Sequence, residues 1–173
     1  MTRVYLDFDG VVHAITDEFH KLMNELYTMG IKFYDKYPQY SKLIQSGNDM
    51  LHMFWMEHYF EKANLIASCL SPDTELYVHS NWRGSPQAVY MALASTDLLK
   101  FYRGCLDPRE YPLDDFRLTN VLKHMRNTQY KDKWVAIDDY DDLFYFFPEH
   151  FVKCDSRKGF LESQCDELKE KLK

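Results

Sequence analysis

The sequence predicts an α/β fold, a parallel sheet covered by helices on both faces. Two observations predict it. Short apolar runs rich in strand formers alternate with helical patterns, and no internal repeat or low-complexity tract breaks that order. Alternation of this kind gives parallel strands joined by crossovers and buried on both sides. The chain of 173 residues is 46% hydrophobic and 16% aromatic, enough to furnish a substantial core. Residues 1–173 are therefore expected to form one domain.

Residues 3–8 (RVYLDF) read as a buried first strand, broken at Asp9-Gly10, where glycine permits a sharp turn. A helix follows. Thr16 can cap it, Asp17 and Glu18 suit its positive end, and Phe19, Leu22, Met23 and Leu26 recur at three- and four-residue spacing until Gly30. The stretch after Gly30 is aromatic and irregular and reads as a small insertion, bounded at about 28–56. Its aromatics Phe33, Tyr34, Tyr37 and Tyr40 are expected to pack over the core rather than to line a partner surface. Asp49 caps a long, buried helix with Leu51, Phe54, Trp55, Tyr59, Ile66 and Cys69 on one face.

Ser71-Pro72-Asp73 ends that helix, and residues 75–79 (ELYVH) form the second strand. Ser85-Pro86 starts a helix, since proline in the first turn loses no needed hydrogen bond. Residues 100–112 read as a strand fragment and loop, and Asp114 or Asp115 opens a helix running to about Arg126. Residues 134–137 (WVAI) are the third clear strand, followed by a short helix, a fourth strand near 151–153 and a terminal helix from about Lys158.

Composition narrows the function. A formal charge of -6 provides no general basic surface of the kind that drives sequence-independent nucleic-acid binding. Cys69, Cys105, Cys154 and Cys165 form no CxxC pair, so they are expected to be reduced thiols. Met1 leads directly into a strand-like run, with no long apolar stretch after it, and the expected location is cytoplasmic, with no membrane partner. The histidines show neither HxxxH nor HExxH spacing and are expected to be structural or superficial. His79, next to Ser80, should point away from any phosphate by strand alternation.

Ligands of such sheets gather beyond the carboxyl ends of the strands. Asp7 and Asp9 follow the first strand, Ser80, Asn81 and Arg83 the second, and Asp138 and Asp139 the third. In an extended chain Asp7 and Asp9 point the same way, so one carboxylate can attack while the other moves a proton. A phosphate among carboxylates suffers repulsions of roughly 4 kcal/mol per close pair of charges at an intermediate dielectric. A cation is therefore expected. Asp7, the Asp9 backbone carbonyl and Asp138 or Asp139 offer hard oxygens suited to Mg2+.

Three segments carry a family resemblance: VYLDFDGVV, ELYVHSNWR and WVAIDDYDD resemble the first, second and fourth motifs of the haloacid-dehalogenase-like (HAD) superfamily. The Ser-x-Trp-Arg ending and the late DSRKGF segment look similar to HAD domains of Swiss-army-knife RNA repair proteins. The resemblance covers Val4 to about Phe160, apart from the insertion. It implies a HAD-like Rossmannoid three-layer sandwich with a minimal cap, and a magnesium-dependent phosphatase acting through an aspartyl-phosphate. Asp7 would be the nucleophile, Asp9 the acid/base, Ser80 and Asn81 phosphate-binding residues, and Asp138 and Asp139 metal-binding residues alongside Asp7 and Asp9. The third motif normally supplies a lysine. Arg117 at a helix start is placed first for that role, ahead of Lys123, Lys131 and Lys133. The expected substrate is a small phosphate ester or nucleotide, with a 3' or 5' nucleic-acid end as the alternative and a non-catalytic binding module as the second alternative.

Overall fold

In the computed structural model, which describes residues 1–38, 60–141 and 144–173, five strands form one parallel sheet. They are β1 (Thr2–Leu6), β2 (Thr74–Val78), β3 (Tyr102–Cys105), β4 (Trp134–Asp138) and β5 (Phe151–Lys153), in the order β3-β2-β1-β4-β5. The chain builds outward from β1 to β3, then returns to lay β4 on the other side of β1. That reversal makes the carboxyl ends of β1 and β4 the switch point, where the flanking connections part and a crevice opens. Leu6 pairs with both Val78 and Ile137, so Asp7 and Asp138 emerge at adjacent strand ends.

Alternation along the strands sorts the side chains into two layers. Val4, Leu6, Leu76, Val78, Val135 and Ile137 face a core completed by helices α3 (Ala63–Cys69), α4 (Pro86–Ala94) and α6 (Glu162–Leu172). Tyr5, Trp134 and Ala136 face the opposite layer, where α5 (Arg117–Asn127) contributes Leu118 and Val121. Fully burying each such aliphatic side chain is worth about 1.5–3 kcal/mol, so both layers hold the switch point rigidly.

The first helix, α1 (Asp17–Met29), starts at Thr16, whose side chain accepts from the Phe19 amide at 3.2 Å, and ends at Gly30 with φ 54°. After it, α2 (Lys32–Lys36) buries Phe33, with Tyr34 and Tyr37 packed partly against the core. Tyr40 and most of the expected insertion lie outside the described residues, as does the start of the helix expected from Asp49. That helix does not run unbroken to Cys69. Phe60 is not helical, residues 61 and 62 form a turn, and the Lys62 amide donates to the Val12 carbonyl at 3.1 Å, so helix begins at Ala63.

Other boundaries differ for local reasons. Residues 113–115 form a turn and bend, and α5 opens at Arg117. The short helix after β4 is realised, where described, as two 3-10 turns at Phe144–Phe146 and Pro148–His150. The terminal helix begins at Glu162, because Asp155 and Gly159 close a bridge first.

The expectation of four reduced thiols is corrected. Cys69 of α3 and Cys165 of α6 form a disulfide with Cα atoms 5.7 Å apart, while Cys105 and Cys154 are free. The two helices pack side by side, and the pairing spans 96 residues, a separation that spacing rules do not address. No helix among the described residues is long and apolar enough to cross a membrane.

Candidate active site

The site begins where β1 stops. The Asp7 amide still donates to the Ile137 carbonyl at 3.0 Å, which pins Asp7 against β4, and the chain then turns through Phe8 to Val12. Gly10 sits in that turn with φ +71°, and a Cβ there would lie 2.4 Å from an Asp139 carboxylate oxygen. Glycine is thus required twice, for the left-handed backbone and for the close approach of Asp139.

Asp7 and Asp138 are 1% and 0% exposed, and with half-buried Asp139 they bring one carboxylate oxygen each within 4.8 Å of one another. Arg117, the first residue of α5, donates from Nη1 to Asp7 Oδ2 at 2.7 Å and to both Asp138 oxygens at 2.6 Å. The Tyr140 amide donates to Asp138 Oδ1 at 2.8 Å. Asp7 Oδ1 is buried with no hydrogen-bond partner among the described residues. Arg117, rather than Lys123, reaches this cluster; the Lys123 ammonium donates to the Glu110 carbonyl.

Asp9 departs from the expected arrangement. Its carboxylate stands outside the Asp7, Asp138 and Asp139 group and is held by His13 Nε2 at 2.8 Å and Trp82 Nε1 at 3.2 Å. The extended pattern that would align it with Asp7 ends at Leu6, and the turn re-aims it. His13 and Trp82 are thus site residues that the sequence reading missed. His13 lies four residues after Asp9, a spacing that could have signalled it, whereas Trp82 lies 73 residues away.

Ser80 is buried and accepts from the Trp82 amide at 3.3 Å, starting the 3-10 turn Asn81–Gly84. Asn81 is exposed at the head of that turn. Arg83 is 1% exposed and spent on backbone carbonyls: His79, Tyr111 at 3.1 Å and Pro112 at 3.1 Å. The expected orientation of His79 is corrected, because its Nε2 lies 3.5 Å from Asp138 Oδ2. β4 carries Asp138 on the same face as His79, so the site straddles the sheet edge and does not lie on the Ser80 face alone.

The family of HAD domains in Swiss Army Knife RNA repair proteins matches residues 3–165. The chain belongs to this family. Its five-stranded parallel sheet flanked by helices is the HAD Rossmannoid fold. Searches of curated proteins and of solved structures returned no significant match.

The electrostatics of this HAD domain are those of an overcrowded carboxylate cluster. Burial pushes Asp7 up; Arg117 opposes this, Asp9 adds to it, and the Ser80 hydroxyl favours the ionised form. Asp138 rises well above the carboxylate range, through burial first and then through Asp7. Burial likewise raises Asp139. His79 is pushed well down by burial and by Arg117 and Arg83, so it meets Asp138 as a neutral ring rather than as a cation. Three carboxylates thus face Arg117, with Arg83 set behind it. Hard oxygens, net negative charge and an unpartnered buried oxygen on Asp7 fit a magnesium ion.

Proposed function

We propose that this HAD domain is a magnesium-dependent phosphohydrolase that cleaves a phosphate monoester through an aspartyl-phosphate on Asp7. The observation that carries the reading is the convergence of Asp7, Asp138 and Asp139 within 4.8 Å at the switch point, bridged by Arg117. Asp7, Asp138, Asp139 and the Asp9 carbonyl would hold the ion, which when bound supplies positive charge to the phosphoryl oxygens.

The chain's own residues divide the remaining work. Asp7, whose negative charge Arg117 stabilises, attacks phosphorus through the carboxylate oxygen that does not hold the ion, and the bond to the leaving oxygen breaks. Asp9 delivers a proton to that oxygen, then takes one from the water that cleaves the aspartyl-phosphate. His13 and Trp82 orient Asp9 for both transfers. Ser80 and Arg117 donate to the phosphoryl oxygens, with Asn81 at the mouth. Such positioned donors supply the larger part of phosphoryl-transfer catalysis.

Hydrolysis of a chromogenic phosphate ester with and without Mg2+ tests the reading. Asp7→Asn is expected to lose about 1,000-fold or more of the rate, as loss of a catalytic nucleophile does. Full magnesium-dependent activity in that variant would contradict it. The family match favours a second reading, in which the ester is a phosphorylated nucleic-acid end. Rates on free nucleotides against 3'- and 5'-phosphorylated oligonucleotides separate the two.

A further inference from the structure

Beside the acidic cluster, the same carboxyl edge carries a cavity of about 530 Å³ over the ends of β2 and β3. Its lining includes Arg83, Pro86, Tyr102, Cys105, Pro108 and Arg109. Leu6 pairs with Val78 and Val78 with Cys105, so the cavity lies two strand spacings from the line of Asp7, about 10 Å. That span is of the order separating a nucleotide's phosphate from its base. Arg83 connects the two places, lining the cavity while its charge is felt at Asp7.

We propose that this cavity is the leaving-group subsite and takes a nucleobase joined through its sugar to the phosphate at Asp7. The inference rests on the phosphatase reading above and narrows it to nucleotide esters. Pro86, Pro108 and Tyr102 in its lining offer apolar surface against which a base can pack. At the rim, Asp107 and Arg109 offer an acceptor and a donor that now satisfy each other, with 39% and 88% of their side chains exposed. So exposed a pair contributes little to stability and opens at small cost, freeing both for the edge of a base. A base carries donors, acceptors and a flat apolar face together; a simple sugar or polyol lacks the last.

The test compares kcat/KM for a nucleoside monophosphate, a phosphorylated oligonucleotide and glycerol phosphate, which has no base. Two variants are used. Gly84→Leu adds bulk at a lining position where a Cβ meets nothing nearer than Leu113 at 4.0 Å, and Arg109→Ala removes an exposed rim donor. The wild-type protein is expected to prefer base-bearing esters at least tenfold, and Gly84→Leu to reduce that ratio tenfold, mainly through KM. A smaller drop is expected for Arg109→Ala. No preference for a base, or equal loss on all three esters, would overturn the proposal. A free nucleotide as good as the oligonucleotide identifies the monomer as the source of the base, and a strong preference for the oligonucleotide identifies a chain end. Calorimetric binding of an unphosphorylated nucleoside keeps the subsite separable from the chemistry. Binding that weakens tenfold in Gly84→Leu supports the subsite even if no ester is cleaved, and absence of binding to the wild-type protein overturns it.

Discussion

The two ends of β1 carry similar residues to opposite effect. At the amino end Arg3 donates to Glu75 at 2.8 Å and to Thr128 at 2.6 Å, with its guanidinium 3.9 Å from the Tyr130 ring centre. Beside it Tyr5 and His124 share a 2.9 Å hydrogen bond. One cation meets one carboxylate there. At the carboxyl end, four residues on from Arg3, Arg117 faces Asp7, Asp138 and Asp139, and Asp7 Oδ1 has no hydrogen-bond partner among the described residues. The balanced end stabilises the fold, while the overcrowded end is held in place by the packing around it. Like charges collected where burial makes them costly mark a candidate functional end, the one at which the proposed function places a cation and a phosphate.

The contrast breaks if substitutions at the two ends act alike. Asp138→Asn is expected to lower kcat/KM about 1,000-fold, roughly 4 kcal/mol of transition-state stabilisation. In the absence of magnesium it should leave stability equal or higher, because it removes a repelled charge. Arg117→Ala should cost about 100- to 1,000-fold in kcat/KM, the loss of one preorganised donor, with partial recovery in Arg117→Lys. Steady-state kinetics on one ester measure both. At the other end Glu75→Gln should leave kcat within twofold and destabilise the protein by about 1–3 kcal/mol, the worth of a hydrogen bond to a charged group, read by urea denaturation.

A further effect is one of pH, and its sign differs between the ends. Burial, then Arg3, pushes His124 down to about 4, so between there and its ordinary 6.5 the unfolded chain binds more protons than the folded one. Stability from His124 therefore rises with pH across that window, by at most about 1.4 kcal/mol per pH unit. For Asp7, Asp138 and Asp139 the folded pKa is raised, so their contribution is present at low pH and is lost as pH rises above the ordinary carboxylate value. Denaturation of His124→Gln between pH 4 and 7 should show a shallower rise than the wild-type protein. An unchanged profile would remove His124 from the balanced end.

Much of this was legible because strand ends are legible. The runs before Asp7, Ser80 and Asp138 are short, apolar and β-branched, and a parallel sheet brings their carboxyl ends together whatever the loops do. Arg117 could be placed because a helix start points its first side chains back toward the sheet edge. What escaped depends on side-chain direction and on distant packing. The turn that re-aims Asp9 toward His13 and Trp82 follows from Gly10 and backbone bonds at Phe8, and His79 lies beneath Asp138 because two strands present the same face. The Cys69–Cys165 bond joins two helices whose contact no local pattern announces.

The most direct test of the overcrowded end is thermal denaturation in a magnesium titration, compared between the wild-type protein and Asp138→Asn. At 100 times the dissociation constant, binding to the folded state adds about 2.7 kcal/mol, a rise of several degrees in Tm. The wild-type protein is expected to show that rise, and Asp138→Asn to show almost none while melting no lower without the metal. A wild-type Tm indifferent to magnesium, or a variant that responds equally, would contradict the account.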